Sequence, residues 1–307
     1  MSMRLALLAT VLRYTAKPLL SHVRTPDDLR RSFAMFSRFG LRVPRGVMFA
    51  TQPGPPQMLW VTTPKSDHRR VLLYFHGGGY IAGSPHSYRG MAGRLALLSG
   101  YPLVLPTYRL GPEHPLPAAM LDARAAWGAL LDQGFAPADI VVGGDSAGGG
   151  LALCLLANLA AEGILPAAVI GFSPWTDLSG SGASMTENAG ADPLLPAHRL
   201  PELVRFATNG GVAPEDPRIS PLFADFPSAP PVLFQVSETE ILRDDTVRMA
   251  DKLRATGAIV RVETWPDAPH VWQFLDGMIP EARVALTHAA AFLTEVWGPA
   301  MPGAMRR

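Results

Sequence analysis

The stretch Ile140-Val141-Val142-Gly143-Gly144-Asp145-Ser146-Ala147-Gly148-Gly149-Gly150-Leu151 decides how this chain is read. A β-branched run enters it, and Leu151-Ala152-Leu153-Cys154-Leu155-Leu156 leaves it as a buried helix. Strand, G-x-S-x-G, helix makes a sharp turn that raises the serine hydroxyl above the end of a sheet. Glycines two residues before and after the serine are needed because Cβ atoms there would collide across the turn. The helix that follows aims its free N–H groups and positive dipole end at the site, where an oxyanion would form. Ser146 is therefore the candidate nucleophile.

G-x-S-x-G alone is a weak signal, and its context strengthens it. Upstream, Val71-Leu72-Leu73-Tyr74-Phe75 reads as a buried strand running into His76-Gly77-Gly78-Gly79. Such a loop lets backbone N–H groups approach a carbonyl oxygen without side-chain interference. Gly77 and Gly78 are the expected donors, with the N–H of Ala147 as the third. One donor of this kind is worth roughly 3–4 kcal/mol of transition-state stabilisation.

The surrounding pattern alternates strands and helices. Apolar runs at 103–105, 140–142, 168–170 and 232–236 are separated by helical segments at 88–99, 117–133, 147–162 and 245–256. A strand at 259–264 and a helix at 281–297 close the chain, and strands at 47–50 and 58–61 precede 71–75. This predicts an α/β fold with a mostly parallel central sheet covered by helices on both faces. Both glycine motifs follow strands, so both fall at the carboxyl ends where ligands bind. Residues 178–228 contain no convincing strand and are too long for a simple connection. Residues 1–45 are expected to form N-terminal cap helices. Residues 46–307 would be the catalytic domain, with a cap insertion at about 180–225.

A serine nucleophile needs a base and an acid. Among eight histidines, His270 follows the 259–264 strand in a loop, whereas His288 lies within the final helix. His76 belongs to the glycine loop and is expected to hold its shape. His86 and His114 are read as loop residues. The acid should follow strand 232–236, where Glu238, Glu240, Asp244 and Asp245 are candidates. Asp244 or Asp245 suits a helix N-cap, and position alone does not separate Glu238 from Glu240.

These motifs, with Tyr108-Arg109-Leu110-Gly111-Pro112-Glu113-His114-Pro115, Ser173-Pro174-Trp175-Thr176-Asp177, Ser220-Pro221-Leu222 and Asp267-Ala268-Pro269-His270, resemble the bacterial hormone-sensitive-lipase family of α/β-hydrolase esterases. The resemblance runs in the correct order from about residue 45 to the C-terminus. It implies an α/β-hydrolase fold, Ser146 as nucleophile, His270 as base, and Gly77, Gly78 and Ala147 as oxyanion donors. The family's acid motif, Asp-Pro-Leu-Arg-Asp-Glu, falls on Glu240-Ile241-Leu242-Arg243-Asp244-Asp245. Glu240 is then the acid, a departure from the commoner Asp. Tyr108 and Arg109 are expected to brace the glycine loop and the sheet edge, and Trp175 and Asp177 to shape the pocket floor.

The resemblance implies a serine carboxylesterase for short- to medium-chain acyl esters, with the ester and water as its two substrates. An amidase or lipase using the same triad, or a non-catalytic small-molecule receptor on this fold, stays open as an alternative.

Composition narrows the partners. A net charge of +1 with scattered Lys and Arg points away from nucleic acid. The single cysteine, Cys154, excludes an intrachain disulfide and reads as a core thiol. Gly77-Gly78-Gly79 lacks the Lys-Ser/Thr ending of a phosphate-binding loop, and serine catalysis requires no cofactor or metal. Leu5–Leu12 is apolar, but Arg13, Lys17 and Arg24 follow closely and no small-x-small cleavage site does. A cytoplasmic protein is expected over a secreted or membrane-associated one, and no run approaches the roughly 18 apolar residues of a transmembrane segment. The oligomeric state stays open, a homodimer included.

Overall fold

A computed structural model describes residues 1–40 and 42–303. Three helices come first: α1 (Met3–Tyr14), α2 (Ala16–His22) and α3 (Pro26–Gly40). The hairpin β1 (Met48–Gln52) and β2 (Met58–Thr62) follows, then β3 (Val71–Phe75), α4 (Arg89–Ser99), β4 (Leu103–Pro106) and α5 (Ala118–Asp132). Next come β5 (Ile140–Asp145), α6 (Ser146–Ala161) and β6 (Ala168–Phe172). Two short helices, α7 (Ser184–Glu187) and α8 (Leu200–Thr208), occupy the stretch with no strand signal. The chain ends with β7 (Val232–Ser237), α9 (Arg243–Arg254), β8 (Val260–Trp265) and α10 (Pro280–Trp297).

The eight strands form one sheet in the order β1-β2-β4-β3-β5-β6-β7-β8. β1, β2 and β4 pair antiparallel, and every pairing from β4 onward through β8 is parallel. The chain steps outward from β3 to β4 and then returns across β3 to lay down β5. That reversal opens a crevice at the carboxyl ends of β3 and β5, where such sheets bind ligands. Phe75 pairs with Gly144, so the glycine loop and the serine turn leave the sheet side by side.

The period-two alternation of β3 builds both cores. Val71, Leu73 and Phe75 pack with Ala123, Trp127 and Leu151 of α5 and α6 on one face. Leu72 and Tyr74 face the other way, onto Leu95 of α4 and Leu286 and Leu293 of α10. All these side chains are almost wholly withdrawn from water. Each buried leucine contributes about 1.5–3 kcal/mol of transfer free energy. Cys154 packs inside α6, and burial pushes its thiol above the usual range, as expected of a core cysteine.

The N-terminal helices are fastened to the body. Leu5 of α1 packs against Trp272, Leu275 and Ile279. Ser2 caps α1 by accepting the Leu5 N–H, and its own N–H and hydroxyl donate to Glu281 at 2.6 and 3.0 Å. The opposite face of α1 leaves Met3, Leu7 and Tyr14 exposed. No helix among the described residues is long and apolar enough to cross a membrane.

Candidate active site

The turn at Ser146 has the expected strain. Its φ is +51°, a left-handed value that L residues rarely adopt. A Cβ on Gly144 would lie 2.3 Å from the Gly148 carbonyl oxygen, and one on Gly148 would lie 2.1 Å from that of Phe75. Only glycine fits at either position. Tyr80, Ser173, Asn209 and Val271 share the positive φ; Val271 lines the same cavity and Ser173 donates to Glu240. Strained backbone at a cavity-lining residue such as Ser146 is a mark of functional geometry.

Asp145, directly before the serine, joins the two loops. Its carboxylate accepts the hydroxyls of Tyr74 at 3.0 Å and Tyr88 at 2.8 Å, and the Gly77 N–H at 3.2 Å. Burial pushes its pKa up to about 6, against the pull of those tyrosine hydrogen bonds. The Tyr88 hydroxyl also accepts the Gly77 N–H at 2.9 Å. This corrects one expectation: the Gly77 N–H is occupied, and Gly77 does not line the cavity. Gly78 and Gly79 do line it, and no acceptor among the described residues takes their N–H groups or that of Ala147. The free N–H groups that this loop presents to the cavity are therefore those of Gly78 and Gly79.

His76 and Tyr108 brace the loop as expected. His76 donates from Nδ1 to the Gly77 carbonyl at 2.8 Å, and burial holds its pKa down at about 4, so it is neutral. Tyr108 stacks on its ring at 4.3 Å and donates to the His76 carbonyl at 2.6 Å. Arg109 pairs with Asp122 at 2.9 Å. Trp175 lines the cavity, but Asp177 does not. Asp177 is buried beneath it and accepts the hydroxyls of Ser179 and Ser181.

At the other side of the cavity, His270 and Glu240 meet. His270 Nδ1 lies 2.6 Å from Glu240 Oε2, with Glu240 fully buried. The other carboxylate oxygen accepts the Ser173 hydroxyl and the Ser237 N–H, both at 2.8 Å. Burial alone would lower the His270 pKa, but the charge and hydrogen bond of Glu240 outweigh it, with help from Asp192 and Asp145, and the pKa is raised. Ser146 and His270 line one cavity of about 500 Å³. Its walls are mostly apolar: Leu12 and Leu20 from the first helices, Phe33 from α3, Leu203 and Phe206 from α8.

The remaining acid candidates lie elsewhere. Glu238 pairs with Arg243 on the surface at 2.7 Å. Asp244 and Asp245 are not N-caps, because α9 begins one residue earlier with Leu242 as its cap. Asp244 exchanges hydrogen bonds with Ser184, and buried Asp245 accepts the N–H groups of Thr176 and Asp177 at 2.7 and 2.8 Å. Both tie neighbouring segments to the first turn of the helix. His288 is exposed on α10 beside Glu263. Among the described residues no three His, Cys, Asp or Glu side chains are placed to hold a metal ion.

Ser173 and Asp145 carry duties that motif reading left unassigned. Each is a polar residue next to a buried strand end, which was the available signal.

Known proteins match this arrangement. The alpha/beta hydrolase fold family matches residues 72–274. An acetyl-hydrolase of Streptomyces hygroscopicus is 39% identical over 241 residues, 78% of this chain and 80% of its own. An esterase of Acinetobacter venetianus is 33% identical over 228 residues, 74% of this chain and 75% of its own. Among solved structures, an esterase from the bacterial hormone-sensitive lipase family superposes with TM-score 0.89 and 34% identity, covering 96% of this chain and 98% of the other. EstE5 soaked with p-nitrophenyl butyrate superposes with TM-score 0.90 at 33% identity, covering 97% and 99%. The chain belongs to the bacterial hormone-sensitive-lipase family of α/β-hydrolases and is a serine carboxylesterase.

Proposed function

We propose that Ser146, His270 and Glu240 form the catalytic triad, with Gly78, Gly79 and Ala147 as oxyanion donors. The observation that carries this is the Glu240–His270 contact at 2.6 Å, on the cavity that also exposes strained Ser146. Ser146 Oγ attacks the ester carbonyl while His270 Nε2 takes its proton. Glu240, held on His270 Nδ1, fixes the tautomer and stabilises the imidazolium. The three free N–H groups take the charge that develops on the carbonyl oxygen. The tetrahedral intermediate collapses as His270 protonates the leaving alcohol. Water, activated by the same imidazole, then releases the acid from the acyl-enzyme.

Helices α1 to α3 and the 180–225 insertion act as a cap over the pocket. Both contribute apolar wall, and the enclosed volume suits a compact ester. By resemblance to the family, acyl chains of about two to eight carbons are the preferred substrates, and a largely apolar pocket supports this. A series of p-nitrophenyl esters of rising acyl length tests this. Activity should peak within that range and fall for long chains. Greater activity on long-chain triglyceride emulsions than on soluble butyrate esters would overturn it.

A further inference from the structure

The peptide that joins Glu240 to Ile241 is held at both of its polar atoms. The Glu240 carbonyl accepts the Asn188 side-chain amide at 2.8 Å, and the Ile241 N–H donates to Asp192 Oδ2 at 3.1 Å. Asn188 also donates to the Glu238 carbonyl at 2.8 Å. Asp192 is fully buried, and its other oxygen accepts the N–H groups of Leu194 and Leu195, both at 2.8 Å. Glu240 lies three residues past the end of β7, where its carbonyl also accepts the Arg243 N–H at 3.2 Å. The Asn188 and Asp192 contacts come from the 188–195 loop, far from Glu240 in sequence.

That loop is in turn gripped by the N-terminal helices. Four successive carbonyls each accept a cationic donor. Arg13 of α1 donates to those of Gly190 and Ala191 at 2.7 and 2.8 Å. Lys17 of α2 donates to those of Ala189 and Asp192, both at 2.7 Å. Hydrogen bonds from ionised donors are short and strong, and a pair of them across one loop fixes its shape. Among the described residues the Asp192 carboxylate has only backbone N–H partners, and Lys17 is a cation whose field it feels.

We propose that Arg13 and Lys17 are positioning residues for the triad: through the 188–192 loop they set the Glu240 peptide, so docking of the N-terminal helices and assembly of the Glu240–His270 pair are one event. This rests on Glu240 being the triad acid. The same helices also wall the substrate pocket. A cap lifted to admit or release ligand leaves the acid loosely held, and hydrolysis waits on closure.

The test compares Lys17→Met, Lys17→Arg and Arg4→Met in the full chain, with active sites counted by organophosphonate titration so that unfolded protein drops out. Arg4 is an exposed cation on α1, so Arg4→Met controls for loss of a positive charge from the N-terminal helices. Lys17→Met should lower kcat per active site by about ten- to a hundredfold, with KM for p-nitrophenyl acetate changed far less. Its acid limb of kcat/KM should move to lower pH, because His270 loses the aligned carboxylate that raises its pKa, leaving Asp192 and Asp145 as the charges facing it. Loss of positive charge alone would move the limb upward. Lys17→Arg should restore most of kcat, and Arg4→Met should match wild type. Should Lys17→Met fail to fold, Asn188→Ala cuts the same link at its far end and should show the same lowered kcat and limb shift. Wild-type kcat and limb in the variant that folds, a kcat loss without the limb shift, or an equal loss in Arg4→Met overturns the proposal. Glu240→Gln judges the triad assignment separately.

Discussion

The two halves of the site are held in different ways. The serine half belongs to the sheet: Asp145, Tyr74, Tyr88 and Gly77 form a closed set of hydrogen bonds between β3, β5 and the segment before α4. The acid half leans on distant chain: Ser173 after β6, and Asn188 and Asp192 from the insertion. Adjacent parallel strands set the first half by local register. The second half is assembled only when segments far apart in the chain dock. Damage to the serine half should therefore show in the chemistry of Ser146 or in the stability of the fold, whereas damage around the acid should show in the rate and in its pH dependence.

Ser146→Ala should have the largest effect. Steady-state ester hydrolysis should fall by about 10⁶-fold, with circular dichroism and melting near wild type. Glu240→Gln should come next. It keeps the shape but removes the charge that stabilises imidazolium, and the rate should fall by up to about 10⁴-fold. Its acid limb should also move to lower pH: kcat/KM rises as His270 deprotonates, and the carboxylate that raises the His270 pKa is gone. A limb that stays in place would show that Glu240 is not the dominant partner.

Tyr88→Phe probes the serine half without touching a reacting group. It removes one donor to buried Asp145 and one acceptor of the Gly77 N–H. Chemical denaturation should report a loss of about 1–3 kcal/mol. Asp244→Asn should have the smallest effect. It weakens the Ser184 and Arg243 contacts at the start of α9, costing about 1 kcal/mol, with kcat within a few-fold of wild type. Loss of activity in folded Asp244→Asn, with Glu240→Gln active, would reverse the acid assignment.

The same division explains what could be read before folding. The β5 run, the glycines around Ser146 and the strand entering the glycine loop are local patterns, and the sheet order follows from strand–helix alternation. Position placed His270 after the last strand. Nothing local separated Glu240 from Glu238, because the difference is made by Ser173, Asn188 and Asp192, which lie far away in sequence. Family resemblance was needed there. The hydrogen bonding of Gly77 is hidden from sequence for a related reason. Its N–H is taken by Tyr88 and Asp145, one 11 and the other 68 residues away, and no glycine pattern announces that. The helix caps at 244 and 245 failed because α9 starts at Arg243, a boundary that side-chain type alone sets poorly.

Covalent labelling tests the central claim most directly. The protein is treated with a serine-directed organophosphonate, and the adduct is counted by intact mass and located by peptide mapping. One adduct per chain on Ser146, absent from Ser146→Ala and slowed in Glu240→Gln, is the expected result. An adduct on any other serine, or undiminished labelling of Ser146→Ala, would contradict the assignment.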